Sequence, residues 1–212
     1  ERVVEQAHRQ NIAVGVTATC LREAQDIARA GADFVVAQGW EAGGHRGIFD
    51  PSQPDEELPI LALVRSLLDC LSIPIVAAGG MMDGRDIAAV LAAGATAAQL
   101  GTAFLCCDEA GTARAHREAL REGEEETVFT SAFSGRPARG MRNTFIDAMA
   151  DKSVLAFPQQ NTLTGALRRW AASAGDVGFQ SVWAGTGRCK IRSMPAAQLM
   201  ATIERELSEA AI

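Results

Sequence analysis

Residues 38–47 hold the side chains whose types and spacing best fit chemistry: a single histidine, His45, lies among glycines. The apolar run at residues 32–37 directly before them predicts a buried strand. In parallel α/β proteins, ligands bind beyond the carboxyl ends of the strands. An unperturbed imidazole titrates near pH ~6.5, so it can accept a proton at neutral pH. We therefore predict that His45 is a general base or a hydrogen-bond donor beside a flat or anionic ligand.

Two further strand ends carry glycine in the same place. Gly79-Gly80 follows the apolar run at residues 73–78, and Gly101-Thr102 follows the run at 97–100. Backbone amides at such turns and at helix N-termini bind phosphate, and glycine lets the phosphate approach closely. The repetition favours a phosphate site over the simpler alternative, in which the strand ends need glycine only to turn. The sequence contains neither a P-loop nor a dinucleotide-binding glycine motif.

Charged side chains near these segments leave alternatives open. Glu41 either orients the His45 segment or is solvated. Arg46 either binds an anion or forms a structural salt link, and Arg136 and Arg139 either contact an anion or cap helix ends. None of the four is assigned to catalysis from the sequence alone.

The remaining histidines and the cysteines indicate no metal site. His8 and His116 are predicted to lie on helix surfaces among charges. The five cysteines contain no C-x-x-C pair, and neither residue type shows metal-ligand spacing. We expect all five cysteines to be buried free thiols.

The spacing of apolar residues predicts alternating strands and helices. After a first helix at residues 2–8, we expect strands at 12–16, 32–37, 73–78 and 97–100, helices at 21–30, 60–71, 83–93 and 110–123, and a strand at 127–129. Either Asp83 or Asp86 is expected to cap its helix. Residues 134–140 are predicted to be a turn-rich basic loop, and late helices are expected near 162–174 and 195–208.

Four βα units of this kind predict a parallel α/β fold. A (β/α)8 barrel typically needs about 250 residues. The sequence therefore fits either a TIM-type barrel that lacks its N-terminal strands or a smaller open α/β sheet, and the first helix, which has no proper beginning, favours the barrel. We expect residues 1–130 to be the C-terminal portion of the barrel, and residues 131–212 to be an irregular loop and a small helical appendage packed on it.

Charge and composition exclude some classes of protein. The 212 residues carry a net charge of −6, and their arginines are scattered, which argues against a nucleic-acid surface. Neither an apolar segment long enough to span a membrane nor a signal-peptide pattern is present in the sequence. We expect a cytoplasmic protein.

Several segments resemble the nitronate monooxygenase family, formerly called 2-nitropropane dioxygenases. The resemblance covers nearly the whole chain, and the string Glu-Ala-Gly-Gly-His-Arg-Gly is its most specific part. The similar segments are residues 38–47, 77–80, 99–105, 133–140 and 183–185.

The resemblance implies an FMN-dependent TIM-barrel oxygenase, a flavoprotein that oxidises alkyl nitronates such as propionate 3-nitronate, and in some members nitroalkanes, with dioxygen. It implies that His45 is the catalytic base. The residues that it places at FMN are Gln38, Gly43, Gly80 and the stretch Gln99, Leu100, Gly101 and Thr102, with Gly79 close by. The family's N-terminal strands, which supply further flavin contacts, would come from a missing N-terminal half; homo-oligomerisation is a further expectation.

Two other functions remain open at this point. One is an FMN-dependent enoyl-acyl-carrier-protein reductase, whose barrel shares much of the glycine pattern. The other is a flavin- or phosphate-binding remnant without catalysis. Oxidation of NAD(P)H without nitronate turnover would favour the reductase. Failure to bind a yellow cofactor would count against both the reductase and the nitronate monooxygenase.

Overall fold

A computed structural model describes residues 2–210, in which strands and helices alternate through the first half of the chain. The helices are α1 Arg2–His8, α2 Leu21–Arg29, α3 Ile60–Leu68, α4 Gly84–Ala92, α5 Arg114–Glu122, α6 Thr144–Met149, α7 Gln159–Ala174 and α8 Ala196–Ala210. The strands are β1 Gly15–Ala18, β2 Phe34–Gln38, β3 Gly44–His45, β4 Ile75–Ala78, β5 Ala97–Gln99, β6 Thr127–Thr130 and β7 Ala138–Met141. Short 3₁₀ helices occupy Thr102–Phe104, Val177–Phe179 and Thr186–Lys190.

The described chain forms two units. The first unit comprises residues 2–41, 47–100 and 204–210, and the second comprises residues 42–46 and 101–203. The predicted domain boundary after residue 130 concerns a barrel in a longer chain, and it stays a prediction.

The first unit is built on a parallel sheet with the strand order β1-β2-β4-β5. Each strand is joined to the next by a helix that packs back onto the sheet, as parallel pairing requires. In α3, Leu63, Val64 and Leu67 are fully buried and pack with Val35 and Ile75 of the sheet. The predicted α/β class is therefore confirmed, and its four strands fall at the predicted places with ends shifted by a few residues.

Asp83 is the N-cap of α4, so the structure decides between the two predicted caps. Its carboxylate accepts a hydrogen bond from the Asp86 amide at 2.9 Å, while the Asp86 carboxylate accepts one from the Met82 amide at 2.9 Å. The first bond satisfies an amide of the first turn that the helix itself leaves without a partner, and the second holds the segment that enters the helix.

The second unit contains an antiparallel sheet with the order β3-β7-β6. In it, His45 pairs with Ala138, and Val128 pairs with Gly140. The sequence prediction was wrong here in two respects: residues 138–140 are a strand rather than a loop, and His45 lies on a short strand rather than in a glycine-rich loop. Gly, Pro and Arg give no strand signal of their own, so this sheet depends on pairing between distant segments.

Arg139 shows how the antiparallel sheet is braced. Its guanidinium lies 4.2 Å from the centroid of the Phe129 ring and donates a hydrogen bond to the Thr127 carbonyl oxygen at 3.1 Å. Arg139 is only 6% exposed, so its position is that of a buried cation on an aromatic face.

The cysteines differ in burial. Cys20, Cys106 and Cys107 are buried free thiols, as predicted, whereas Cys70 and Cys189 are exposed. The prediction was wrong for these two because α3 ends at Leu68, before Cys70, and because Cys189 lies in a short 3₁₀ helix. None of the helices in residues 2–210 combines the length and apolar character needed to cross a bilayer.

Candidate active site around His45

His45 lies at the end of β3, and its ring is held against the loop that precedes β7. The imidazole Nε2 lies 2.9 Å from the hydroxyl oxygen of Ser134. The antiparallel pairing of β3 with β7 brings the two segments together, and the Arg46 amide extends it by donating to the Pro137 carbonyl oxygen at 2.9 Å. The backbone of the second unit thus fixes where the imidazole sits.

Ser134 is itself fixed in a tight turn. Its hydroxyl donates to the Arg136 carbonyl oxygen at 3.1 Å and accepts from the Arg136 amide at 3.2 Å. Helix α7 holds the residues just before it, because Gln160 Nε2 donates to the Ala132 carbonyl oxygen at 2.7 Å and Thr164 Oγ1 donates to the Phe133 carbonyl oxygen at 2.5 Å. Ser134 is 2% exposed, so the partner of His45 is a buried and preorganised hydroxyl.

Trp183 covers one side of the imidazole. The two ring centroids are 5.6 Å apart with an interplanar angle of 62°, an edge-to-face arrangement. Phe133 packs perpendicular to the same indole, with centroids 5.6 Å apart. The ring of His45 is therefore restricted by an aromatic neighbour as well as by a hydrogen bond.

The pKa of His45 lies below the ordinary histidine value. Partial burial of the imidazole is the largest cause, and the positive charges of Arg136 and Arg168 lower the pKa further. A lowered pKa keeps the imidazole neutral at neutral pH, which is the form that accepts a proton.

Arg168 lies on α7, and its neighbours provide hydrogen-bond partners for only part of its guanidinium. Its Nη2 donates to the carbonyl oxygen and to Oδ1 of Asn161, both at 2.8 Å. Its Nε is buried without a hydrogen-bond partner in residues 2–210. Burial lowers the pKa of Arg168.

Gly43 and Thr102 both contact the backbone around Gly185. A Cβ built on Gly43 would lie 2.4 Å from the Gly185 nitrogen and 2.5 Å from the Ala184 carbonyl carbon, closer than real contacts allow. Thr102 Oγ1 accepts a hydrogen bond from the Gly185 amide at 3.0 Å. Both residues were predicted to contact a cofactor, and both also hold the segment that follows Trp183.

In the first unit, two side chains anchor the chain just after His45. Gln38 Oε1 accepts a hydrogen bond from the Gly47 amide at 2.8 Å. The buried carboxylate of Glu23 accepts one from the Phe49 amide at 2.6 Å, and it also binds the Thr19 amide and hydroxyl at 2.7 and 2.8 Å. Sequence reasoning singled out Gln38 but missed Glu23, because a carboxylate within a helical pattern looks like a solvated one.

Gly79 and Gly80 directly follow β4, as predicted, and both have positive φ angles, 130° and 72°. Few other residues adopt this conformation. The amides at the start of α4 are used within the protein, since Met82 donates to Asp86, and Gly84 donates to Glu206 at 3.0 Å. The Met82 and Gly84 amides therefore have partners within the protein, and the phosphate contact at Gly79 and Gly80 stays a prediction.

The next strand end lies close to where it was predicted, at Gln99, Leu100 and Gly101. Gln99 is exposed at the end of β5. A Cβ built on Gly101 would meet no atom within 4 Å. A single 3₁₀ turn over Thr102–Phe104 follows Gly101.

Three other predicted residues are now placed. Glu41 is not simply solvated: its carboxylate oxygens accept hydrogen bonds from the Ile60 amide at 3.2 and 3.0 Å, so it caps α3. Arg46 is 2% exposed, which places its guanidinium inside the fold. Arg136 acts on His45 electrostatically, as the lowered pKa of the imidazole shows.

His116 was expected on a helix surface, and this expectation was wrong. It lies on α5, but it is half-buried, and its Nε2 is 3.2 Å from the Trp183 carbonyl oxygen. Burial lowers the pKa of His116, and the hydrogen bond to Trp183 opposes that shift. His8 lies on α1 with its Nε2 2.9 Å from the Asp33 carboxylate, and its side chain is 43% exposed.

Ser134 and Trp183 both contact His45, and reasoning from residue chemistry missed both of them. Both lie in segments that carry the family resemblance, residues 133–140 and 183–185, and that resemblance was the only signal for them.

A groove of about 580 Å³ in the second unit, lined among others by Arg142, Asn143 and Asp147, contains none of the predicted site residues. Within residues 2–210, no group of three or more acidic, histidine or cysteine side chains is arranged to hold a metal ion.

A parallel sheet whose strands alternate with helices, with glycines directly after β4, defines a protein of the α/β class. A family model for nitronate monooxygenase matches residues 1–206. The chain belongs to the nitronate monooxygenase family.

Individual relatives agree with this assignment. The chain is 44% identical over 211 residues to nitronate monooxygenase from Paraburkholderia phytofirmans, covering 98% of this chain and 58% of that protein. It is 46% identical over 200 residues to nitronate monooxygenase from Pseudomonas aeruginosa, covering 92% of this chain and 57% of that protein. The chain therefore spans less than three fifths of the length of these relatives.

Solved structures show the same similarity. Nitroalkane oxidase from Streptomyces ansochromogenes superposes with a TM-score of 0.95 at 43% identity, covering 99% of this chain and 61% of that one. FabK from Thermotoga maritima superposes with a TM-score of 0.82 at 29% identity, covering 99% of this chain and 65% of that one. These matches extend over both units of the described chain.

Proposed function

We propose that the protein catalyses the FMN-dependent oxidation of alkyl nitronates, such as propionate 3-nitronate, and of nitroalkanes, with dioxygen as the oxidant. Family membership supports the proposal, as do the relatives named nitronate monooxygenase and the structural neighbour named nitroalkane oxidase. The proposal concerns the whole protein. This chain matches 58% of the length of the Paraburkholderia relative.

The environment of His45 carries the proposal. The imidazole lies 2.9 Å from a buried hydroxyl, is covered on one side by Trp183, and has a lowered pKa. These are the properties of a general base that is neutral and oriented at neutral pH. Its proposed role is to remove the α-proton of a neutral nitroalkane.

The cationic side chains beside His45 fit the product of that step. Loss of the α-proton turns a neutral nitroalkane into a nitronate anion, and the proton goes to the imidazole. Arg136 and Arg168 place positive charge near the ring, and the same charge favours a developing anion. A nitronate that arrives already deprotonated needs no base, so His45 would then serve only as a hydrogen-bonding or orienting group.

The glycines at the strand ends fit the flavin that the family implies. Gly79 and Gly80 have the backbone conformation that glycine favours, and Gly101 leaves open the space that a side chain would fill. Bound FMN would accept electrons from the nitronate and pass them to dioxygen. The residues that we assign to FMN from the family resemblance are Gln38, Gly43, Gly79, Gly80, Gln99, Leu100, Gly101 and Thr102.

The same proposal includes a closed barrel. The described sheet has four parallel strands, β1, β2, β4 and β5. A TIM-type barrel has eight, so we infer that further strands come from outside residues 2–210. The proposed division into a barrel portion up to residue 130 and an appendage over residues 131–212 depends on that closure.

Oxygen uptake by the flavin-loaded intact protein tests the function. We expect uptake that depends on propionate 3-nitronate, and we expect anaerobic mixing with this nitronate to change the flavin absorbance near ~450 nm. A spectrum that does not change with propionate 3-nitronate would overturn the proposal. NAD(P)H oxidation without nitronate-dependent oxygen uptake would favour the reductase instead, and a protein that binds no flavin would favour the non-catalytic alternative.

A further inference from the structure

Helix α7 presents a row of polar side chains to the segment that precedes β7. Gln160 Nε2 donates to the Ala132 carbonyl oxygen at 2.7 Å, and Thr164 Oγ1 donates to the Phe133 carbonyl oxygen at 2.5 Å. Arg168 follows at the same spacing of four residues, and residues four apart lie on one face of a helix. Arg168 therefore belongs to the face of α7 that packs against this segment.

The same segment continues into the contact with the imidazole. Ser134 comes directly after Phe133, and its hydroxyl oxygen lies 2.9 Å from His45 Nε2. The pKa of His45 is lowered first by burial and then by the charges of Arg136 and Arg168. A molecule bound at the imidazole is therefore exposed to the positive charge of Arg168.

The guanidinium of Arg168 has no anionic partner among residues 2–210. Its hydrogen bonds run from Nη2 to the carbonyl oxygen and Oδ1 of Asn161, both at 2.8 Å. Nε is buried without a hydrogen-bond partner, whereas Nη1 is not covered in this way. Burial lowers the pKa of Arg168, the positive charge of Arg169 lowers it further, and no acidic side chain opposes the shift.

This state of the guanidinium indicates a ligand. A cation that has lost part of its hydration without gaining a counter-charge is costly, and a buried donor without a partner calls for an explanation. A guanidinium presents its N–H groups in a planar fork that matches a carboxylate. Because Asn161 binds only Nη2, an anion that reaches Nη1 would supply the missing charge.

We propose that Arg168 is a specificity-determining residue that binds a carboxylate of the substrate, so that the protein prefers nitronates and nitroalkanes carrying an acid group away from the reacting carbon. Propionate 3-nitronate is such a substrate, whereas the nitronate of nitroethane is not. Every nitronate has a negative charge at its reacting end, so the second anionic group is what the guanidinium distinguishes. The inference rests on the proposed function, because it takes the molecule bound at His45 to be the substrate.

Two nitronates of similar shape test the preference in the flavin-loaded intact protein. In 3-methylbutyl nitronate, an isopropyl group replaces the carboxylate of propionate 3-nitronate. Both are supplied already deprotonated, so removal of a proton by His45 does not enter the comparison. We expect a higher kcat/KM for propionate 3-nitronate, and equal values for the two nitronates in the wild-type protein would overturn the inference.

Variants of two neighbouring arginines show whether the preference comes from Arg168. Arg168→Gln should raise KM for propionate 3-nitronate roughly tenfold to a hundredfold, the usual effect of losing a hydrogen bond to a charged group, and leave 3-methylbutyl nitronate unchanged. Arg168→Lys, which keeps the charge but not the fork, should recover part of the loss. Arg169→Gln removes the same charge from an exposed position and is the matched control. An equal loss with both nitronates in Arg168→Gln, or an equal effect in Arg169→Gln, would contradict the proposal.

Binding measurements separate this inference from the proposed function. Calorimetric titration with 3-nitropropionate and with 3-methyl-1-nitrobutane measures recognition of the acid group without turnover. Tighter binding of the acid that is lost in Arg168→Gln, in a protein that oxidises no nitronate, would refute only the function. Nitronate oxidation without a preference for the acid would refute only the inference. Weaker FMN binding in Arg168→Gln with the acid preference retained would assign Arg168 to the cofactor phosphate and overturn the inference as well.

Discussion

The imidazole Nε2 of His45 and the hydroxyl of Ser134 are 2.9 Å apart although 89 positions separate the residues in the chain. The contact is made by pairing between β3 and β7, which places the end of one short strand against the turn that leads into another. The orientation of the His45 imidazole therefore depends on the backbone of both strands.

Removing the imidazole should affect neutral nitroalkanes most. We expect His45→Ala to retain flavin and to lose roughly 10²- to 10⁴-fold in kcat/KM with nitroethane, because a positioned general base contributes about that much. The loss with preformed nitronate should be smaller, since no α-proton has to be removed. Oxygen-uptake kinetics and flavin absorbance measure both effects; His8→Ala, on α1, is the control. Nitroethane rates equal to those of the wild type would remove His45 from the role of base.

The pH dependence of kcat/KM should show the effect of the Arg168 charge on the pKa of His45. Because His45 must be neutral to accept a proton, kcat/KM for nitroethane should rise with pH through the pKa of His45, which lies below the ordinary value. Arg168→Gln removes a charge that lowers this pKa, so the rise should move to higher pH.

The neighbouring Arg169 is the matched control for that experiment. It is exposed on the same helix and is not among the charges that shift His45. Arg169→Gln should leave the pH profile in place. A profile that does not move in Arg168→Gln, or that moves as far in Arg169→Gln, would show that this electrostatic coupling is unimportant.

Gly101 gives a test of the cofactor site that does not depend on turnover. A Cβ at this position meets no protein atom within 4 Å, so Gly101→Ala should fold normally. If the space is used by FMN, the substitution should weaken FMN binding about tenfold or more, or ~1.4 kcal/mol. Fluorescence titration of the apoprotein measures the Kd. Gly111→Ala, which also meets no atom within 4 Å, should leave it unchanged; equal Kd values for the two variants would exclude Gly101 from the site.

Gly43 should be required for stability. A Cβ there would lie 2.4 Å from the Gly185 nitrogen, so the backbone of one segment must move. We expect Gly43→Ala to lower the free energy of unfolding by about 1–3 kcal/mol, the usual cost of overpacking. Denaturant unfolding, with Gly111→Ala as the control, measures the difference. Wild-type stability in Gly43→Ala would mean that this close approach is not maintained in solution.

Glu41 should prove to be structural. Its carboxylate caps α3 through the Ile60 amide, and loss of an N-terminal cap costs about 0.5–2 kcal/mol. Glu41→Ala should therefore lower the free energy of unfolding by that amount and leave kcat/KM with nitroethane unchanged. Glu56→Ala, at an exposed position nearby, is the control for loss of charge. A lower kcat/KM with nitroethane in Glu41→Ala without loss of stability would restore the orienting role that the sequence left open.

The elements of the first unit could be predicted because their signals are local. The i, i+3, i+4, i+7 spacing of Ile60, Leu63, Val64 and Leu67 identifies α3, and β-branched runs identify β2 and β4. Element ends were less well predicted, as at Gly15, where β1 begins later than expected. Hydrogen bonding between neighbouring strands, rather than composition, decides such boundaries.

The partners of the predicted site residues could not be predicted in the same way. Nothing near Glu41 in the sequence indicates that it caps α3, and nothing near His116 indicates a contact with the Trp183 carbonyl oxygen. A hydrogen bond between distant segments needs only a donor and an acceptor at the right distance. Residue type therefore shows what a side chain can do, but not which group it meets.

The sequence by itself determined the order of strands and helices, the glycines at the strand ends and the presence of one well-placed imidazole, because each depends on residues close together in the chain. Only the tertiary structure decided that β7 exists, that His45 lies on a strand beside it, and that Ser134 is the hydroxyl that His45 contacts. The physical reason is that β pairing is satisfied between segments, so a strand with weak propensity of its own forms only where a partner supplies the hydrogen bonds.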